Sequence, residues 1–204
     1  MNNIVMSAGI NGFDELYKGD IKSQRMYAGN RGFDYKLHTH LDRCEHKPYP
    51  NAQLVKKCGC SKIKRMLEAF DDGYDNVLWF DADTFAMPDA RDFTKAVDND
   101  GIFLIKNIRD NFDGGIIIAH NDDKCRLFLQ TIWDNFGNAV PKEYMRKYEC
   151  GHLLYYGTGE LKDCVNILDN SWMSLSPDIK GDFQHNHNLN MNKSYDELLK
   201  VYNA

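Results

Sequence analysis

A four-residue apolar burst, Val77-Leu78-Trp79-Phe80, runs without a spacer into Asp81-Ala82-Asp83. The burst is too short for a helix and follows Asp71-Asp72-Gly73, so it reads as a buried strand. In extended backbone, positions i and i+2 point the same way, and both carboxylates can converge on one point. The carboxyl ends of strands are where ligands bind in an open α/β sheet. Two carboxylates held there repel each other unless a cation neutralises them. A hard divalent ion such as Mn²⁺ or Mg²⁺, with positions left open for substrate phosphates, suits such a pair. The plainer alternative is a turn, since Asp is common at strand ends and D-x-D recurs by chance.

The segments on either side fix the fold class. Asn3 to Gly12 is a short apolar run closing in Gly and Asn, as expected of a buried parallel strand and its loop. Phe13 to Gly29 approximates helical spacing, and Phe33 to His40 alternates like a second strand. Strand, helix, strand is the repeating unit of an α/β domain with a parallel sheet. Residues 42–60 lack a period and read as an irregular connection, after which Ser61 is a plausible N-cap. Further on, Gly101 to Ile105 and Gly115 to Ala119 read as strands. Asp123 to Phe136, Leu161 to Leu168 and Tyr195 to Tyr202 read as helices.

Composition excludes several functions. The 204 residues fit one domain, and a net charge of −5 without a basic block argues against a nucleic-acid partner. No apolar run approaches the ~18 residues of a membrane span. Met1 to Met6 lacks the pattern of a secretory signal, so a soluble cytoplasmic protein is expected. The six cysteines then read as reduced thiols rather than a disulfide framework. His38, His40, Cys44, His46, Cys58 and Cys60 lie close in sequence, but Cys58-Gly59-Cys60 has the wrong spacing for structural zinc. They are read as loop or surface residues.

Asn76-Val77-Leu78-Trp79-Phe80-Asp81-Ala82-Asp83-Thr84 resembles the signature of nucleotide-sugar glycosyltransferases of the GT-A fold, in its galactosyltransferase-like branch. The helix from Ser61-Lys62 to Phe70 resembles the family helix beside the nucleotide. Asn111 to Ile118 is similar to the strand beside donor sugar and acceptor, with Asp113 where Asn is common. Gly181-Asp182-Phe183-Gln184-His185 is similar to a stretch ending in a metal-ligating His, but His185 stands one position early and His187 follows it. The ordered set spans about residues 3–190.

The resemblance implies a single α/β GT-A (Rossmann-like) domain over 1–204, its central sheet mixed, mostly parallel and flanked by helices, with a nucleotide-binding half to about 100 and an acceptor-binding half from 101. It is a compact enzyme or a domain cut from a longer polypeptide. The implied reaction moves a sugar from a nucleotide diphosphate sugar, a UDP-sugar first, to a hydroxyl of a glycan or glycoprotein. Asp81, Asp83, His185 and His187 are the candidate ligands of Mn²⁺ or Mg²⁺. Ser7, Ala8, Gly9, Asp34, Tyr35, Lys62, Asp81 and Ala82 are candidates for holding the donor, and small residues at 7–9 let backbone approach it. Inversion needs a general base, for which Glu160, Asp163 and Asp113 are available. The His-containing branch implies retention instead. A sugar-nucleotide pyrophosphorylase, a metal-dependent phosphatase or nuclease, and a sugar-nucleotide binder without turnover are the rival readings.

Overall fold

The computed structural model describes residues 1–40, 54–107, 110–136, 140–145, 148–175, 180–185 and 187–203. Its elements in chain order are β1 (Asn3–Ala8), α1 (Phe13–Leu16), α2 (Lys18–Arg31), β2 (Asp34–His38), α3 (Leu54–Asp71), β3 (Asn76–Asp81) and β4 (Thr84–Ala86). Then follow β5 (Ile102–Lys106), β6 (Phe112–His120), α4 (Asp123–Asn135), α5 (Lys142–Met145) and α6 (Tyr148–Thr158). The chain continues through β7 (Val165–Leu168), β8 (Met173–Ser174), β9 (Phe183–His185), α7 (His187–Asn190) and α8 (Tyr195–Tyr202).

Six strands form one sheet in the order β2-β1-β3-β6-β5-β7, and β4-β9-β8 form a smaller one. The pairs β1·β2, β1·β3 and β5·β7 are parallel, while β6 runs antiparallel to both β3 and β5. The sheet is therefore mixed and mostly parallel. Its central strands are apolar on both faces, which is why they read as continuous runs rather than alternations. Met6, Trp79 and Ile117 face α3, α4 and α6 in one core layer. Val5, Phe80 and Ile116 face the other, with Tyr27 of α2, Phe183 of β9 and Leu198 of α8.

Several elements differ from the sequence expectation. The first helix breaks at Tyr17, whose φ of −113° and ψ of 34° are not helical, and the second piece runs on to Arg31. The second strand is shorter than expected, covering Asp34–His38. The helix assigned to begin at Ser61 begins at Leu54, so Ser61 is buried within it and caps nothing. Gly59, inside that helix, is a point of close approach, where an added Cβ would overlap the Glu149 carboxylate.

Leu161 to Leu168 is a short 3-10 turn, Lys162–Cys164, leading into β7, not a helix. Edge pairing with β5 overrides its local spacing. His38 and Cys60, expected in loops or at the surface, are core residues, with His38 stacked on Trp79. Cys44, His46 and the Cys58 side chain lie outside the described residues. Among the described residues, no helix is long and apolar enough to cross a membrane.

Candidate active site

Asp81 ends β3 in register with Ala8 on β1, and Ala8 pairs in turn with His38 on β2. Side chains alternate along β3, so Trp79 and Asp81 share the α3 face. The Trp79 indole Nε1 donates to Asp81 Oδ1 at 3.0 Å, and Lys62 Nζ of α3 stands 2.7 Å from the same oxygen. Lys62 is almost wholly buried, and its three ammonium protons have three acceptors. Beside Asp81 these are the Gly114 carbonyl at 2.7 Å and Glu149 Oε1 at 2.9 Å. Burial opposes the Lys62 charge, but Asp81 and Glu149 outweigh it and raise its pKa well above the ordinary lysine value. Burial raises the Asp81 carboxyl against the pull of Lys62, with the charges of Glu149 and Asp83 adding to the rise.

The chain turns at Ala82-Asp83 and enters β4, whose antiparallel partner β9 ends at His185. That pairing carries His185 back beside Asp83, 102 residues away. His185 Nε2 lies 3.1 Å from Asp83 Oδ1, and its Nδ1 lies 3.2 Å from Asp113 Oδ1. Asp113 reaches this point through an irregularity between Leu104 and Ile105 of β5, opposite which β6 carries extra residues. Its Oδ1 also accepts from the Gly115 amide at 2.8 Å. Burial disfavours the His185 cation, yet the close carboxylates of Asp113 and Asp83 hold its pKa well above the usual imidazole range. Conversely, burial raises the Asp113 carboxyl, but the His185 contacts dominate and lower it.

Asp81, Asp83 and His185 each offer a ligand atom within 4.8 Å of the others. Two carboxylates and an imidazole form a donor set fitting Mn²⁺ or Mg²⁺, with a better match to Mn²⁺ for the nitrogen ligand. Asp113 stands behind the imidazole, where a carboxylate would orient a ligating His. Four carboxylates (Asp81, Asp83, Asp113 and Glu149) gather around Lys62 and His185, and with His185 neutral, as a ligand must be, they leave an excess of negative charge for a divalent ion. The residues present fit a bound divalent ion.

The other sequence candidates divide. Ser7, Ala8 and Gly9 end β1 beside the carboxylates. The Gly9 amide donates to the His38 carbonyl at 2.9 Å, and the buried Ser7 hydroxyl has no hydrogen-bond partner among the described residues. Ala82 is buried in the turn between the two Asp residues. Tyr35 reaches the site indirectly: its hydroxyl donates to Gln24 Oε1 at 3.3 Å, and Gln24 Nε2 donates to the Asp81 carbonyl at 2.9 Å.

Asp34 is not brought to the site. It pairs with Ile4, level with Val77, roughly 13 Å along the strands from Asp81, and accepts from the Tyr74 hydroxyl. Glu160 and Asp163 are exposed in the turn before β7, whose first residue lies level with Ile102, Ala119 and Val77. They flank the opposite end of the sheet, just past the end of α6 at Thr158. Of the three proposed bases only Asp113 stands at the site. The His187 side chain lies outside the described residues. Glu149 went unrecognised in the sequence because α6 was not assigned there. The only local sign was an acid in the first turn of a helical stretch.

No protein-family model matches this sequence, and no curated protein sequence matches it. Solved structures do. A crystal structure of a glycosyltransferase involved in glycosylating the major capsid of PBCV-1 superposes with a TM-score of 0.70 at 14% identity, covering 100% of both chains. An active-site mutant of the glycosyltransferase LgtC gives 0.56 at 12% identity, over 89% of this chain and 86% of its own. Mouse xyloside xylosyltransferase 1 gives 0.52 at 9% identity, over 91% and 97%. With the strand order and the D-x-D cluster already described, these matches identify the architecture of the chain as the GT-A glycosyltransferase fold.

Proposed function

We propose that this protein transfers a sugar from a nucleotide diphosphate sugar, most simply a UDP-sugar, to a hydroxyl of a glycan or glycoprotein acceptor. The observation that carries the reading is the gathering of Asp81, Asp83 and His185 at the carboxyl end of β3 within a glycosyltransferase fold. A galactosyltransferase of similar fold has been crystallised with donor and acceptor sugar analogs, which supports a sugar-transfer role here.

In this reading Asp81, Asp83 and His185 hold Mn²⁺ or Mg²⁺. When bound, the ion supplies Lewis-acid stabilisation of the departing diphosphate. The chain's own groups prepare the place. Lys62 and Trp79 fix Asp81 through Oδ1, leaving Oδ2 for another partner. The Asp113 carboxylate, 3.2 Å from His185 Nδ1, favours a proton on that nitrogen and so leaves Nε2 toward Asp83. Ser7, Ala8 and Gly9 offer the nucleotide a small-residue ledge beside Asp81. Asp113 is the candidate base for an inverting reaction, in competition with its hold on His185.

The test is incubation of the protein with a panel of nucleotide sugars, in Mn²⁺ or in EDTA, followed by assay of free nucleoside diphosphate. The proposal expects Mn²⁺-dependent release from one nucleotide class. Intact donors throughout the panel would contradict it.

A further inference from the structure

Behind the Asp83 side chain lies a second polar cluster that the proposed mechanism has not used. Asn190, at the end of α7, is fully buried. Its amide Nδ2 donates to the Asp83 carbonyl at 3.2 Å and to Asp20 Oδ1 of α2 at 2.5 Å. Its Oδ1 accepts the hydroxyl proton of Tyr202 from α8. Both amide protons and one acceptor site are thus engaged. A flipped amide would set Oδ1 against the Asp83 carbonyl oxygen, which can only accept, so the partners favour one orientation. A buried amide of this kind specifies a geometry because its polar atoms are satisfied.

The partners come from distant parts of the chain, and a separate feature shows that the carboxyl-terminal segment is fitted to its seat. Gly19 of α2 faces the turn at Lys193-Ser194, and an added Cβ would stand 2.6 Å from the Lys193 carbonyl oxygen. The Asn192 amide donates to the Leu16 carbonyl at 2.8 Å, with Asn192 itself at a φ of 60°. Ser194 then caps α8 through a reciprocal pair with Glu197. The segment that follows His185 therefore returns across α2 and grips the backbone of Asp83 from behind.

We infer that Asn190, anchored by Asp20 and Tyr202, is a positioning residue that sets the Asp83 carboxylate for metal binding. This rests on the metal reading of Asp81, Asp83 and His185. Asn190 acts through the Asp83 peptide and touches neither donor nor acceptor.

The test is Mn²⁺ affinity of the full chain, read by the loss of the free-ion electron paramagnetic resonance signal, alongside thermal melting. Asn190→Ala removes both donors, and Tyr202→Phe removes only the hydroxyl that orients the amide. The inference expects Asn190→Ala to weaken Mn²⁺ binding about 10–100-fold, as loss of a ligand-orienting contact does. Tyr202→Phe should weaken it less, in a protein that still melts cooperatively. If Asn190→Ala fails to fold, Tyr202→Phe decides alone: weakened binding supports the inference and wild-type affinity overturns it. Wild-type binding with no loss in either folded variant overturns this inference and leaves the metal site standing. Absence of Mn²⁺ binding by the unsubstituted protein overturns the metal reading itself.

Discussion

Gly115 and His185 share one volume: a Cβ on Gly115 would overlap Nδ1 and Cε1 of the imidazole. The glycine is the gap in β6 through which His185 reaches both Asp113 and Asp83. Its φ lies outside the left-handed region, so alanine is allowed by the backbone and opposed chiefly by the ring, with Asp113 Oδ1 also close at 3.0 Å. Gly115→Ala should leave melting within a few degrees of wild type while lowering Mn²⁺ affinity at least tenfold, on the order found for displaced ligands. Calorimetric titration with Mn²⁺ checks it, and unaltered affinity would show that His185 is not a ligand.

Lys62 neutralises two carboxylates from a nearly dry position. Lys62→Met strands Asp81 and Glu149 against each other and should cost roughly 3 kcal/mol of stability. Adding Glu149→Gln removes one of the stranded charges, so the double variant should cost less than the sum of its parts by about 1 kcal/mol or more. Urea unfolding of the four proteins completes the cycle. Strict additivity would contradict the described pairing.

The Asp20 carboxyl is raised from 3.8 to about 8, chiefly by burial, with the charge of Asp83 adding to it. Between those values the folded chain keeps a proton that the unfolded chain releases. The stabilisation from this group is therefore full below the unfolded pKa and is lost as pH rises through the folded one. Its slope is at most about 1.4 kcal/mol per pH unit. Asp20→Asn keeps an acceptor for Asn190 and should flatten that decline between about pH 5 and 8. Urea midpoints measured across the range in EDTA test this; parallel curves for both proteins would refute it.

Position in the sheet separates the three candidate bases. Glu160→Gln and Asp163→Asn, at the far end of the strands, should release nucleoside diphosphate within about twofold of wild type, as expected of surface substitutions remote from a site. Asp113→Asn should lower Mn²⁺ affinity roughly 10-fold or more through His185. Parallel rate and affinity measurements distinguish them, and an inactive Glu160→Gln protein with normal metal binding would reverse the assignment.

What the sequence made legible was local. The Val77 to Phe80 run ending in two aspartates marks a strand, its end and its chemistry within seven residues, and Phe183-Gln184-His185 carries a resemblance of similar compactness. Glu149, Asn190 and Asp20 were not legible, because their roles exist only across contacts such as the 170 residues separating Asn190 from Asp20. Asp34 and Glu160 show the converse. Each has the right chemistry beside a plausible element, but strand register places both at the wrong end of the sheet.

The account rests on a metal-dependent grip on the donor diphosphate, and calorimetric titration of UDP into the protein tests it most directly. In Mn²⁺ the affinity should exceed that in EDTA by tenfold or more, and Asp83→Ala should erase the difference. Equal UDP affinity in Mn²⁺ and in EDTA, unchanged by Asp83→Ala, would contradict it.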